Sequence, residues 1–293
     1  MFLFVQPAFA AKQTAVIFPD VDAPYKEVFE TIISGISAKP GRTVQRYPLS
    51  RDYRLEDLRN ALKKNRPAGI ITLGKRGYLA ARKLQLNIPT VSGALSMVPN
   101  GISGVSLSAD PAALFSRLKS LVPDSKRVFV VYSPKTLGWL IPLAKKAAKK
   151  QKLELFAYPA ETLREAMLHY RSILQKIHGE TDVIWLPLDK VTVNDDVVLP
   201  LLLQKAWDKD LVIMSNKPSH AKRGVLFALY PDNYGLGQEL SELLDKQSVA
   251  PETSQVIPLK RLDLAVNLRT AAHLGLIFTP QQQEDFRLTF PSR

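Results

Sequence analysis

The sequence predicts an α/β protein made of two lobes, each with a doubly wound parallel sheet. Apolar strand-like runs alternate with amphipathic helical stretches along the whole chain, which is typical of parallel sheets with helices on both faces. The alternation starts again near 122–124, and 293 residues are more than one ordinary core requires. Apolar residues make up 46% of the chain, which favours well-packed cores over disorder.

The first half of the sequence predicts one lobe. Its first helix carries Val28, Ile32 and Ile36 at helical spacing. Pro111 suits the first turn of the last helix, where a backbone N–H has no partner within the helix. We predict strands at 15–18, 43–47, 69–73, 90–92 and 105–107. We predict helices at 25–38, 55–64, 75–86 and 111–121.

The second half repeats the pattern without a flexible linker before it, so we expect close crossovers between the lobes. The run 127–132 is almost continuously apolar, as expected for a strand covered on both faces. We predict strands at 127–132, 153–158, 182–186, 211–214 and 224–229, and further strands within 256–267. We predict helices at 138–150, 163–177, 195–207 and 235–245, and a short last helix at 270–274.

The N-terminus resembles the end of a secretory signal peptide. Residues 1–5 are apolar, residues 8–10 read Ala-Phe-Ala, and a polar stretch follows. We therefore expect cleavage after Ala10 and a periplasmic mature chain; the alternative is a frayed start, since no basic segment precedes the apolar one. Cysteine is absent from the sequence, which excludes disulfides and thiolate metal sites, and we expect no lipid anchor.

The formal net charge of +13 is concentrated in two regions. Residues 39–83 contain thirteen Lys and Arg against three acidic residues, and residues 145–152 contain five lysines. An anionic ligand or partner is one explanation. Solvated helix faces are the other, because most of these residues fall at exposed helical positions. No nucleic-acid-binding module accompanies the charge, so we expect no nucleic-acid partner.

Catalytic motifs are missing from the sequence. It contains no G-x-S-x-G elbow and no phosphate-binding G-x-x-x-x-G-K-[ST] loop. The four histidines lack metal-ligand spacing, and the pair Asp195-Asp196 fits the capping of a helix. We expect no catalytic residue, no metal and no cofactor.

Polar residues follow the predicted strands, where open α/β sheets bind their ligands. They are small, hydroxyl, aromatic and carboxylate residues, which suit a polar or zwitterionic solute. The turn at Gly74 leads directly into a helix, so the N–H groups of residues 75–77 are placed to bind an anion. For any single residue a turn or cap role is the alternative. The predicted ligand-binding residues are Asp20, Gly74, Lys75, Ser92, Thr136, Asp189, Asn216, Asp232 and Tyr234.

Several segments resemble one family over nearly the whole mature chain. The chain resembles the ABC-transporter substrate-binding proteins whose best-known members bind aromatic amino acids, which have the type I periplasmic-binding-protein fold. The similar segments are 100–106 (NGISGVS), 123–128 (PDSKRV), 182–189 (DVIWLPLD), 224–237 (GVLFALYPDNYGLG) and 267–276 (NLRTAAHLGL).

The resemblance implies a hinge that the chain crosses three times, near 120–124, 231–236 and 251–256. The first lobe would then comprise 11–121 and 235–252, and the second 122–234 and 253–293. The family's cleft aspartate maps to Asp189, which would pair with a ligand ammonium. Its Gly-Thr turn maps to Gly74-Lys75, where lysine replaces the hydroxyl residue. Because of that departure, and because the family's Asp-Pro segment is missing near 96–99, the resemblance does not identify the ligand. The lysine favours a ligand more acidic than a neutral amino acid.

We therefore expect a monomeric periplasmic receptor that closes around a small polar or amino-acid-like ligand between its lobes. Its partners would be that ligand, an amino acid or an organic anion, and the membrane permease of an ABC-type importer. The alternative is a sensor that uses the same fold to signal to a membrane receptor, kinase or cyclase. An enzyme is the third option, which the missing motifs disfavour.

Overall fold

A computed structural model describes residues 12–99, 101–179, 181–249 and 254–291. The predicted signal segment 1–10 lies outside the described residues. The chain divides into two compact units, the first of 1–106 and 233–257 and the second of 107–232 and 258–293. No helix within the described ranges combines the length and apolarity that a membrane crossing requires.

Strands and helices alternate through both units. The first part of the chain forms β1 (Lys12–Pro19), α1 (Tyr25–Ser37), β2 (Arg42–Leu49), α2 (Leu55–Asn65), β3 (Gly69–Leu73), α3 (Gly74–Leu84), β4 (Thr90–Gly93), β5 (Ser103–Ala109) and α4 (Pro111–Leu121). The middle forms β6 (Arg127–Tyr132), α5 (Pro134–Leu137), α6 (Ile141–Lys150), β7 (Glu154–Pro159), α7 (Leu163–Lys176), β8 (Asp182–Leu186), α8 (Val198–Asp208) and β9 (Val212–Ser215). The remainder forms α9 (Pro218–Arg223), β10 (Phe227–Pro231), α10 (Asn233–Val249), β11 (Val256–Leu259), β12 (Leu262–Asn267), α11 (Leu268–His273), α12 (Pro280–Glu284) and β13 (Phe286–Phe290).

The first sheet has the strand order β11-β5-β4-β3-β1-β2. Strand β1 runs parallel to both β2 and β3, and Ile17 and Ile70 pack with Leu62 in the core on one face. On the other face α1 and α10 cross at two glycines. A Cβ on Gly35 would lie 2.0 Å from the Tyr234 carbonyl oxygen, and one on Gly237 would lie 2.0 Å from that of Ile32. Only glycine permits this close approach of two helix backbones.

The second sheet has the strand order β13-β12-β10-β9-β8-β6-β7. Alternate residues of β6 face two helical layers, because side chains alternate across a strand. Val128 and Val130 pack towards α4 and α6, whereas Phe129 and Val131 pack towards α7 and α8. Most strand pairs of this sheet are parallel, but β12 runs antiparallel to β10. The prediction of α/β architecture with largely parallel sheets is therefore confirmed.

The helix at 111–121 does not belong to the unit in which we expected it. The chain passes from the first unit to the second after Ser106, before α4 begins. Leu114, Phe115 and Leu118 of α4 are fully buried in the core of the second unit, where the Phe115 ring meets Trp185 edge-on at 5.7 Å. The expected crossing at 120–124 is therefore corrected to 106–107, and the expected crossing at 251–256 to 257–258.

Other differences are local. The predicted helix 138–150 is shortened to α6, which starts at Ile141, and the short α5 precedes it at Pro134–Leu137. The predicted start of α8 at Asp195 shifts to Val198. The sequence patterns did not predict α9, α12 or β13, which contain six, five and five residues. The two helices are too short to show a helical period, whereas the residues of β13 alternate strictly between apolar and polar, a strand signal that our prediction left out.

Candidate functional site

In the first unit, the loops that follow β1 and β2 are joined at the carboxyl end of the sheet. The Asp20 N–H donates to the Leu49 carbonyl at 2.8 Å, and the Arg76 guanidinium donates to the same oxygen at 2.6 Å. The exposed side chain of Asp20 lines a cavity of about 230 Å³ together with Phe29 and Arg46. One predicted residue thus lies at this edge with its carboxylate accessible.

Gly74 links β3 to α3 in a conformation that requires glycine. Its φ is +67°, and a Cβ at this position would lie 3.3 Å from the Phe29 ring. The helix starts at Gly74 itself and contains no acidic residue in its first turn. Lys75 follows with an exposed side chain that forms no ion pair with any described residue. Lys75 and the helix start therefore add positive charge to this edge.

Ser92 occupies a different position from the one predicted. It is the third residue of β4 and is fully buried, because the strand continues to Gly93. Its hydroxyl lies 2.7 Å from the Thr72 hydroxyl, and the two form a buried hydrogen bond. The side chain of Ser92 links two neighbouring strands and is not exposed to solvent.

In the second unit, Asp189 joins the loops that follow β6 and β8. The Ser133 N–H donates to Asp189 Oδ2 at 2.6 Å, and the Val191 N–H donates to Oδ1 at 2.9 Å. The Thr136 hydroxyl lies 3.4 Å from Oδ2. Only 2% of Asp189 is exposed. The carboxylate we predicted to pair with a ligand is thus engaged by the protein, while Thr136 beside it is exposed.

Asn216 is likewise buried among partners. Its Oδ1 accepts a hydrogen bond of 2.9 Å from the Trp185 indole, and its Nδ2 donates to the Leu229 carbonyl at 3.3 Å. These bonds fix the loop after β9 against the strands on either side. Asn216 therefore holds the backbone at the carboxyl edge of the sheet in place from a buried position.

A pair of carboxylates lies at the carboxyl end of β10. Asp232 follows this strand, and Asp263 of β12 lies opposite Tyr230. Partial burial raises the pKa of Asp263, and the nearby negative charge of Asp232 raises it further. Burial also raises the pKa of Tyr230 to about 12. The positive charge of Arg287 acts in the opposite direction on Asp263, and both carboxylates are partly exposed at this edge.

Tyr234 belongs to the first unit, not to the second as we expected. It is the second residue of α10, whose backbone packs directly against α1. The side chain is 42% exposed, so its ring is available to a ligand. The unit changes between Asp232 and Asn233, one residue before this tyrosine.

Ser215, His220 and Asp195 form a hydrogen-bonded row that resembles a hydrolytic triad but differs from it in geometry. Ser215 Oγ lies 2.8 Å from His220 Nδ1, and Asp195 Oδ1 lies 3.0 Å from Nε2, which reverses the nitrogens that a serine hydrolase uses. Ser215 Oγ also accepts a hydrogen bond from the Lys217 N–H at 3.1 Å. Ser215 and His220 are fully buried, and burial lowers the pKa of His220. The row stabilises the loop after β9.

Two α/β units with polar groups at the carboxyl ends of their strands define a substrate-binding protein of the type I periplasmic-binding class. Residues 93–282 match the model of the ABC transporter substrate binding protein family. The chain belongs to this family. Members bind small molecules, work with an ABC permease outside the cytoplasm and are not enzymes. The predictions of family and of a non-enzymatic role are confirmed.

Solved structures show the same fold. A substrate-binding protein with adhesive properties from Clostridium difficile, solved ligand-free and open, has a TM-score of 0.60 at 15% identity over 96% of this chain and 100% of its own. An ABC domain from Streptococcus pneumoniae in complex with L-Trp has a TM-score of 0.55 at 14% identity over 95% and 100%. A conserved domain protein from Vibrio cholerae has a TM-score of 0.54 at 18% identity over 95% and 99%. No curated protein sequence matches the chain.

Proposed function

We propose that this chain is the periplasmic receptor of an ABC-type importer and that it binds a small polar or amino-acid-like ligand as a monomer. In this proposal, residues at the strand ends of both units contact the ligand, and the receptor then delivers it to the permease. The family membership supports the transport role. The observation that carries the ligand class is the presence of opposite, accessible charges at the strand ends of the two units.

The positive charge comes from the first unit. Lys75 is exposed and has no ion pair among the described residues, and the N–H groups at the start of α3 lie beside it. A carboxylate or another anionic group is the natural partner for an ammonium next to a helix N-terminus. We assign the acidic end of the ligand to Lys75 and this helix start.

The negative charge comes from the second unit. Asp232 and Asp263 are partly exposed and repel each other, and Arg287 is the cation nearby that acts on Asp263. We therefore assign the ligand's ammonium to this pair, not to Asp189, whose oxygens already accept hydrogen bonds from the backbone. A zwitterion satisfies both charges, and the L-Trp bound to the Streptococcus pneumoniae relative is one.

The remaining predicted residues divide by exposure. Asp20, Thr136 and Tyr234 are exposed and are proposed to contact the ligand. Gly74 shapes the turn. The buried residues Ser92, Asp189 and Asn216 are proposed to hold the loops that present those contacts.

The test is a calorimetric titration of refolded, ligand-free protein with a panel of single probes: L-tryptophan, L-tyrosine, L-glutamate, L-lysine, benzoate and phosphate. We expect one amino acid to bind, and Lys75→Gln and Asp263→Asn each to weaken it at least tenfold. Lys83→Gln is the matched control, because Lys83 is an exposed lysine in the last turn of the same helix. Equal affinity in all four proteins would refute the site.

The transport role has its own test. We expect deletion of the gene to abolish uptake of the radiolabelled panel compound that binds, and wild-type protein, but not Lys75→Gln, to restore it. Normal uptake in the deletion strain, together with loss of a transcriptional response to the same compound, would instead establish a sensor.

A further inference from the structure

A second cavity lies in the second unit, at the edge of the sheet opposite the strand carboxyl ends. It has a volume of about 640 Å³, which is within the usual range for small-molecule sites. Gly224 lines it before β10 starts, and Asn267 lines it where the antiparallel β12 ends. The cavity is therefore separate from Asp232 and Asp263 at the other edge of the same sheet.

The walls of this cavity combine cations with aromatic surface. Lys222, Arg223 and Arg269 line it, and no acidic residue is among the described residues that line it. Among the described residues, no carboxylate pairs with Lys222 or Arg269. Lys222, Arg223 and Arg269 together give the described wall of this cavity a positive potential that attracts an anion.

Trp207 supplies the aromatic wall. Its side chain is 48% exposed. The His273 ring stacks on its indole at 3.6 Å with an interplanar angle of 6°, and the Arg269 guanidinium lies 6.0 Å from the ring centroid. Arg269 and His273 are four residues apart on α11 and thus lie on one face of that helix. They approach the indole together and leave about half of Trp207 accessible.

Hydrogen bonds fix the floor and the indole in place. Asn267 Nδ2 donates to the Ala221 carbonyl at 2.8 Å, and the Thr270 hydroxyl donates to the Gly224 carbonyl at 2.9 Å. His273 Nε2 lies 3.1 Å from a carboxylate oxygen of Asp210, which holds the imidazole against Trp207. The cavity is therefore preorganised, which lowers the entropic cost of binding.

We propose that this cavity is a second ligand site, specific for a small aromatic anion such as an aryl phosphate or an aryl carboxylate. The guanidinium of Arg269 pairs with the anionic group, since its planar fork matches carboxylate and phosphate oxygens. The aromatic ring of the ligand packs on Trp207 and Phe290. The proposal does not depend on the function proposed for the strand-end residues.

Calorimetric titration with phenyl phosphate and with benzoate tests the proposal on the full chain. We expect at least one of them to bind. Inorganic phosphate lacks the aromatic ring and benzyl alcohol lacks the anionic group, so we expect each of these to bind at least tenfold more weakly. We expect Arg269→Gln to weaken binding at least tenfold and Trp207→Leu at least fivefold. Arg164→Gln, on an exposed face of α7, is the matched control and should bind like wild type.

Two results would overturn the second site. One is that neither aromatic anion binds at millimolar concentration. The other is equal binding by wild type, Arg269→Gln and Trp207→Leu, with circular dichroism showing that all three are folded. Lys75→Gln should leave this affinity unchanged, so loss of binding in that variant would assign the probe to the strand-end residues instead.

Discussion

Replacing Asp189 by alanine removes the carboxylate that joins the loops after β6 and β8. The side chain accepts hydrogen bonds of 2.6 Å from the Ser133 N–H and 2.9 Å from the Val191 N–H, and it is almost fully buried. Alanine leaves both donors without an acceptor. Because water has little access to this position, we expect the folded state to lose most of the energy of both bonds.

The magnitude follows from the two short bonds. Hydrogen bonds to a charged group each contribute about 1.5–3 kcal/mol, so the free energy of unfolding should fall by about 3–6 kcal/mol. The Thr136 hydroxyl at 3.4 Å is too distant to add much. Thr136→Val should therefore change stability by less than about 1 kcal/mol and serves as the control.

Urea denaturation followed by circular dichroism at 25 °C measures these differences. Asp189→Asn keeps one acceptor oxygen, so we expect an intermediate loss, which remains measurable if the alanine variant does not fold. A loss below about 1 kcal/mol for Asp189→Ala would refute the positioning role. If Asp189→Asn kept wild-type stability but lost ligand affinity, the carboxylate would instead bind the ligand ammonium.

Three further predictions concern packing, ion pairing and pH. Gly237→Ala should lower the free energy of unfolding by at least about 2 kcal/mol in urea denaturation, because the added Cβ would lie 2.0 Å from the Ile32 carbonyl oxygen. Gln238→Ala on the same helix is the control and should lower it by less than about 1 kcal/mol. Equal losses in the two variants would contradict the close helix crossing. Arg127→Gln should lower the free energy of unfolding by about 3–5 kcal/mol in the same assay. The guanidinium donates two hydrogen bonds, of 2.7 and 2.5 Å, to the buried Asp182 carboxylate, and the substitution removes this partner. A loss within about 0.5 kcal/mol, as expected of a surface substitution, would refute the pairing. Burial lowers the pKa of His220, so at low pH the unfolded chain binds a proton that the folded chain does not. The free energy of unfolding should therefore fall as the pH drops below about 6.5, by at most about 1.4 kcal/mol per pH unit from this group. His220→Asn should reduce this pH dependence, and an unchanged slope in that variant would contradict the role of His220.

For three strands that are buried on both faces, the sequence predicted the first and the last residue correctly. The segments 69–73, 127–132 and 182–186 are largely apolar runs, and glycine, proline or charged residues lie at or near their ends. Periodicity and turn residues are local properties of the chain. They therefore predict such elements without knowledge of the tertiary contacts.

The assignment of α4 to a unit was wrong because it depends on packing between distant segments. An apolar helix face shows that a helix is buried but not which core buries it. Leu114, Phe115 and Leu118 fit either unit by composition, and only the contact of Phe115 with Trp185 decides. The sequence pattern also does not show the direction of a strand within the sheet, so our prediction did not include Asp263. Because β12 is antiparallel to β10, its first residues, not its last, lie at the edge where β10 ends.

The predicted site residues show the same limit. A position near the end of a strand predicts proximity to the ligand edge but not the direction of the side chain. Ser92 and Asn216 lie near that edge and face inwards, where Thr72 and Trp185 satisfy them. Lys75 and Thr136 lie at the same kind of position and face solvent. Exposure separates the residues that we propose to contact the ligand from those that we propose to hold the loops, and exposure is a property of the folded chain.

Affinity of the Lys75→Gln and Asp263→Asn variants for the panel amino acid that binds wild type tests the central claim most directly. We predict at least a tenfold rise in Kd for each variant by calorimetry, with Lys83→Gln unchanged. An amino acid that binds all four proteins alike, or a panel in which none binds, would contradict the assignment of opposite ligand charges to the two units.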